Sequence, residues 1–170
     1  MGFTPIEGAV MATRSGSVDP GLLLYLLESR KVTITEMIDA LYRKSGLAGM
    51  SGTTGDLRGV LSARNQGDHA AKVAVSVYLH RLRREIGAIA MSMDRLDAVV
   101  FTGGVAEHQP SLISELVSGL SLLGLHTDPS RLMSAGDRVI SPQGAAIPVC
   151  LIKAREDLVL AQHTKQLLTP

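Results

Sequence analysis

Two hydrophobic rhythms alternate along the chain. The helical one is clearest where Val75, Leu79, Leu82, Ile86, Ile89 and Met93 recur at steps of three and four, a spacing that gathers apolar side chains on one helix face. Asp68 stands where an N-cap belongs, and His80, Arg81, Arg83, Arg84 and Glu85 read as the solvated opposite face. Leu22 to Leu27 is apolar on nearly every side and follows Asp19 and Pro20, a cap and a first-turn proline, so it predicts a largely buried helix. Thr33-Ile-Thr-Glu36 has capping-box spacing. From the helix it opens, Met37, Ile38 and Leu41 are expected to face inward, and Arg43 and Lys44 close it with positive charge at the negative end of the dipole. Pro110, then Ile113, Leu116, Val117, Leu120 and Leu123, predict one further helix with Gly124 placed to end it. A last helix is expected from Arg155 to Leu168, opening on Glu156 and Asp157.

The second rhythm is that of strands. Ala98 to Phe101 is a short apolar run that reads as a buried strand, and Arg138 to Ser141 and Ile147 to Ile152 flank a Pro142-Gln-Gly144 turn. Helices around a small sheet make an α/β domain.

Composition narrows what such a domain does. With 170 residues, 45% of them hydrophobic, the chain fits one domain with a sizeable core. It carries no recognisable leader and no apolar span, so it is expected to be soluble and cytoplasmic. A net charge of +1, with 3% aromatic residues and no Trp, argues against nucleic acid and membrane surfaces and leaves a small molecule or another subunit. The single cysteine, Cys150, excludes an intrachain disulfide and reads as a buried strand residue, while the scattered histidines give no support to a histidine metal site. No G-x-S-x-G elbow anchors a serine triad.

Candidate chemistry gathers in three places. Thr102, Gly103 and Gly104 follow the first strand and lead towards a helix. Glycine there lets bare backbone approach a phosphate or an adenosine, although two adjacent glycines after a strand are more often only a tight connection. The G-x-G-x-x-G and G-x-x-x-x-G-K-[ST] patterns are both absent. Gly49 to Val60 reads as a loop rich in glycine and hydroxyls, with Asp56 and Arg58 as its charges. Arg14 sits among Ala12, Thr13, Ser15 and Gly16, small neighbours that leave a guanidinium room to receive a carboxylate or phosphate.

Read together, these stretches resemble one family. Gly-Phe-Thr-Pro-Ile-Glu-Gly followed by Ala-Thr-Arg-Ser-Gly-Ser-Val-Asp-Pro20 is similar to the acetate kinase (acetokinase) signature. Ser-Gly-Leu-Ala-Gly-Met-Ser-Gly with Asp56-Leu57-Arg58, Val100 to Glu107, and Arg155-Glu-Asp-Leu158 follow in the family's order. The resemblance implies an actin-like, sugar-kinase-like (ribonuclease H-like) ATPase lobe with a mixed sheet flanked by helices. It implies reversible phosphoryl transfer from ATP to acetate or another short-chain carboxylate, with Mg²⁺, in a homodimer. By resemblance Arg14 stabilises the transferring phosphoryl group, and Asp56, Leu57 and Arg58 border the adenine. Gly103, Gly104 and Val105 hold the adenosine, and Glu156 lies near the magnesium. Ala106 stands for the family's second glycine in that turn, His108 for an asparagine, and Arg155 for another asparagine. The family's N-terminal phosphate loop is not in the sequence, and Met1 falls at an internal Met-Gly-Phe of the family. Residues 1–170 are therefore expected to be the C-terminal nucleotide-binding lobe only, with the N-terminal lobe absent. The alternative expectation is a catalytically silent association module that pairs with itself or with a complete kinase.

Overall fold

The computed structural model describes residues 2–168; Met1, Thr169 and Pro170 lie outside the described residues. Two compact units divide the chain, Met1–Ile89 and Ala90–Pro170.

Every regular element among the described residues of the first unit is a helix: α1 (Pro20–Glu28), α2 (Ile34–Arg43), α3 (Gly46–Ser51), α4 (Leu57–Asn65) and most of α5 (His69–Ala90). Caps begin α1, α2 and α5 as the sequence predicts. Asp19 accepts from the Gly21 N–H at 2.8 Å, and Asp68 accepts from the Ala71 N–H at 2.7 Å. At α2 the full capping box forms, the Glu36 N–H donating to Thr33 Oγ1 at 3.2 Å and the Thr33 N–H to Glu36 Oε2 at 2.7 Å. These bonds from the Thr33 backbone and hydroxyl hold the Glu36 carboxyl below its ordinary value. A lowered carboxyl pKa adds stability that is present above the ordinary carboxylate value and is lost as pH falls through the lowered one. Thr33→Ala removes the hydroxyl and keeps the backbone N–H that also bonds Glu36, so the Glu36 titration, followed by NMR, should move part of the way back up. The melting temperature should drop by about 2–4 °C at neutral pH. A Glu36 titration unmoved by the substitution would contradict the capping box.

Several expectations change here. α1 has no buried residue, and Leu24 is 66% exposed, because nothing among the described residues supplies the cover that a helix apolar on most sides needs. Met37 is buried as expected, whereas Ile38 points outward and α2 shows a narrower apolar face. The stripe on α5 buries Ala71, Ala74, Val75 and Leu79 and then runs out, with Ile89 and Met93 exposed and Met93 beyond the helix end. On its basic side, Arg81 donates to the Ser17 carbonyl. The stretch read as a loop from Gly49 to Val60 is mostly helix. Only residues 52–56 link α3 to α4, since Ser51 donates back to the Leu47 carbonyl at 2.7 Å and Gly52 closes α3 in the left-handed conformation.

The second unit contains the mixed sheet. β1 (Val99–Phe101), β2 (Arg138–Val139) and β3 (Val149–Leu151) lie in the order β1-β3-β2, β1 parallel and β2 antiparallel to the central β3. Val149 and Leu151 are buried, while Cys150 on the other face is only half-buried. Val100 is 55% exposed, so the strand read as buried packs on one face only. The helices are α6 (Gly104–His108), α7 (Pro110–Ser118), α8 (Pro129–Leu132) and α9 (Glu156–Leu168). The single helix expected through Leu123 breaks at Gly119, a residue that weakens helices. A 3₁₀ turn, Ser121–Leu123, follows and ends on left-handed Gly124. Leu112, Ile113, Leu116, Val117 and Leu120 still form the apolar face, and Leu125 and Ile140 are fully buried. α9 begins where expected and has no buried residue.

Candidate functional site

Arg14 is presented by a segment that uses the start of α3 as its scaffold. The first turn of a helix has unpaired N–H groups, and here Ser45, Leu47 and Ala48 donate theirs to the carbonyls of Thr13, Met11 and Ala12 at 2.9–3.0 Å. Thr13 Oγ1 donates to the Tyr42 carbonyl at 3.0 Å, and the Ser15 N–H to the Leu41 carbonyl at 3.1 Å. Two glycines make this approach possible. Gly46 has φ +65°, and a Cβ on it would lie 2.3 Å from the Met11 carbonyl oxygen; Gly55 has φ +81°, and its Cβ would lie 2.3 Å from that of Ala12. The segment so held carries the Arg14 guanidinium over the Tyr42 ring, 5.8 Å from its centroid. Thr13, Arg14, Ile38, Tyr42 and Arg43 line a groove of about 610 Å³.

Asp56 and Arg58 lie at the start of α4. Asp56 caps the helix through the Arg58 N–H at 3.1 Å and receives the Arg58 guanidinium at two points, 3.3 and 3.0 Å. Arg58 holds the Asp56 carboxyl below its usual range, and Asp56 in turn pushes the Arg58 guanidinium above its usual value. Both are exposed and Leu57 is half-buried. Because Gly55 packs on Ala12, this loop and the Arg14 segment belong to one local assembly.

In the second unit, parallel pairing brings the carboxyl ends of β1 and β3 side by side, with Phe101 opposite Leu151. Ligands of open α/β sheets bind outside such ends. From β1 the chain enters Gly103, with φ +87°, and then Gly104, where an added Cβ would meet nothing within 4 Å. Gly104 and Val105 begin α6, both exposed. From β3 the chain passes through residues 152–155 into the first turn of α9, where Glu156 and Asp157 are exposed at the positive end of the helix dipole. Arg155, next to Glu156, is drawn aside: its guanidinium donates to Asp137 Oδ2 at 2.6 Å. Bonds from the Lys153 N–H and from Arg155 hold the Asp137 carboxyl below its usual range. Beside this edge is a cavity of about 420 Å³ whose walls include Glu107, His108, Arg138, Leu151 and Lys153. Arg138 donates to the carbonyls of Gly136 and Leu132 at 2.9 and 2.6 Å, which pins the loop before β2, and its buried Nε has no acceptor among the described residues.

Among the described residues no three His, Cys, Asp or Glu side chains gather as a metal cage. One or two carboxylates on a helix start fit Mg²⁺ only as it is held beside nucleotide phosphates, where it keeps several waters. No helix is long and apolar enough to cross a membrane among the described residues. The sequence reading therefore named residues on two structured sites: Arg14 with Asp56, Leu57 and Arg58 in the first unit, and Gly103, Gly104 and Val105 with Glu156 in the second. It missed Tyr42, Glu107 and Asp137. For Glu107, membership of the Val100–Glu107 stretch was a usable signal; for Tyr42 and Asp137 sequence offered none.

Comparison with known proteins gives one answer throughout. The model of the acetokinase family matches residues 1–162. The chain is 41% identical over 169 residues to acetate kinase of Nostoc punctiforme, covering 99% of this chain and 42% of that protein. It is 42% identical over 171 residues to acetate kinase of a Synechococcus strain, again covering 42% of the relative. Among solved structures, Porphyromonas gingivalis acetate kinase superposes with a TM-score of 0.89 at 33% identity, over 99% of this chain and 43% of that one. A propionate kinase from Francisella tularensis gives 0.86 at 32%, over 95% and 41%. The mixed sheet with its flanking helices is thus the actin-like, sugar-kinase-like fold expected from the sequence. The chain spans a little over two-fifths of the length of these relatives, and it belongs to the acetokinase family.

Proposed function

We propose that this chain is the C-terminal, nucleotide-binding lobe of an acetokinase that transfers the γ-phosphoryl group of ATP reversibly to acetate or another short-chain carboxylate. The observation that carries the proposal is the shared carboxyl edge of β1 and β3, from which a glycine turn and an acidic helix start both emerge. Gly103, Gly104 and Val105 receive the adenosine on bare backbone, and Asp56, Leu57 and Arg58 border the adenine. Glu156 holds Mg²⁺ through oxygen, and the ion when bound neutralises charge on the nucleotide phosphates. Arg14 meets the charge that develops on the transferring phosphoryl group, a task suited to a planar, always-protonated guanidinium. Its contact with Tyr42 restricts where that guanidinium can point.

The test is calorimetric titration of the chain with Mg-ADP. Gly104→Val is an informative control, because its side chain enters open space at a position without positive φ and leaves the fold intact. We expect binding in the parent chain, at least a tenfold loss in Gly104→Val, and a smaller loss in Arg58→Ala. No binding by a chain whose circular dichroism shows it folded would reject the proposal. It would favour the second reading, a silent association module in a homodimer or with a complete kinase, which the exposed Leu22, Leu24 and Tyr25 of α1 support.

A further inference from the structure

Residues 152–155 carry a mechanical burden that their exposure hides. α9 has no buried residue, so packing in the second unit does not fix the direction of its first turn. What fixes it is a row of hydrogen bonds to the segment before it. The Ile152 N–H donates to the Phe101 carbonyl at 2.9 Å, the last bond of the β1–β3 ladder. Beyond the sheet, two carboxylates take over. The Lys153 N–H donates to Asp137 Oδ1 at 2.9 Å, the Ala154 N–H to Glu107 Oε1 at 2.9 Å, and the Arg155 guanidinium to Asp137 Oδ2 at 2.6 Å. Each successive residue is tied before the helix begins.

Glu107 has a second connection. It lies on α6, the helix that starts at the glycine turn, and its own N–H donates to the Gly103 carbonyl at 3.0 Å. One residue thus links the turn to the backbone two positions before Glu156. Resting on the nucleotide and magnesium reading above, we propose that Glu107 is a positioning residue that ties Glu156 to the glycine turn. Metal and nucleotide then bind as one unit, and Asp137 is its second anchor. Carboxylates that orient a ligand-bearing segment commonly change metal affinity 10–100-fold when removed. Neither side chain needs to touch the metal or the nucleotide to do this.

The experiment measures ADP affinity by calorimetry with and without Mg²⁺, in the parent chain and in Glu107→Ala, Glu107→Gln and Asp137→Ala. The readout is the ratio of the two affinities, which a general loss of packing does not move selectively. We expect the parent chain to gain affinity with Mg²⁺ and Glu107→Ala to lose about tenfold of that gain. Its affinity for metal-free ADP should change less than twofold. Glu107→Gln keeps a carbonyl oxygen for the Ala154 N–H and should retain most of the gain, and Asp137→Ala should show a partial loss. Amide exchange at Ala154, faster in Glu107→Ala and slow in Glu107→Gln, tests the clamp itself in unliganded protein. An undiminished Mg²⁺ gain in Glu107→Ala, a parent affinity indifferent to Mg²⁺, or unchanged exchange at Ala154 overturns the inference while leaving the nucleotide site standing. Absence of any ADP heat in the parent chain removes the nucleotide reading, and this inference falls with it.

Discussion

Gly46→Ala should destabilise the first unit by about 3 kcal/mol, the sum of a left-handed backbone penalty and a main-chain clash that cannot relax by side-chain rotation. The new Cβ would lie 2.3 Å from the Met11 carbonyl oxygen and 2.8 Å from that of Arg14. Relief requires lifting residues 11–14 away from α3, which breaks the hydrogen bonds from Ser45, Leu47 and Ala48. Gly52→Ala is the matched control. Gly52 has nearly the same φ, +68° against +65°, yet nothing stands within 4 Å of its added Cβ. It should cost only about 1 kcal/mol. Urea denaturation of the two variants separates the terms, and equal losses would show that close approach of the Arg14 segment to α3 contributes nothing. The same measurement bears on function, because Gly46→Ala displaces the segment that carries Arg14.

Turnover by the isolated chain is the second large expectation, and here the expected result is none. With ATP, acetate and Mg²⁺, acetyl phosphate formation should match an enzyme-free control even where calorimetry detects Mg-ADP. Phosphoryl transfer depends on holding acceptor, phosphate and cation in line, and such alignment is worth effective molarities of about 10⁵–10⁸ M. A nucleotide held by its adenosine and metal still lacks an aligned carboxylate acceptor. In the proposal, that alignment comes from the part of the relatives' length that this chain does not span, since it covers 42% of the Nostoc protein. Turnover above the control, abolished by Arg14→Ala, would show instead that these residues form a complete catalytic centre.

Much of the candidate site was legible in the sequence for a local reason. Caps act within three residues, so Asp19, Thr33 with Glu36, and Asp68 announce α1, α2 and α5 without reference to the rest of the chain. The family stretches around Arg14, Asp56, Gly104 and Glu156 are likewise contiguous, and the family match bears out the membership they imply. Hydrophobic pattern was less informative where it depended on a partner. α1 reads as a helix buried on most sides and yet buries no residue, because hydrophobic pattern states what a helix can cover and not what is present to cover it. The stretch read as a loop at Gly49–Val60 failed for a related reason. Its glycines do not mark flexibility throughout: Gly52 ends α3, and Gly55 lets backbone pack on backbone.

By itself, then, the sequence determined the family, the starts of α1, α2, α5, α7 and α9, and the α/β class. Each of those is written in short-range spacing or in contiguous motifs. Tertiary structure alone decided that Met11–Thr13 carbonyls complete the start of α3, that Tyr42 lies under Arg14, and that Asp137 and Glu107 hold residues 153–155. These pairings join residues far apart in the chain, and long-range partners follow from how strands and helix ends meet in space, which no local pattern of hydrophobic and polar positions encodes.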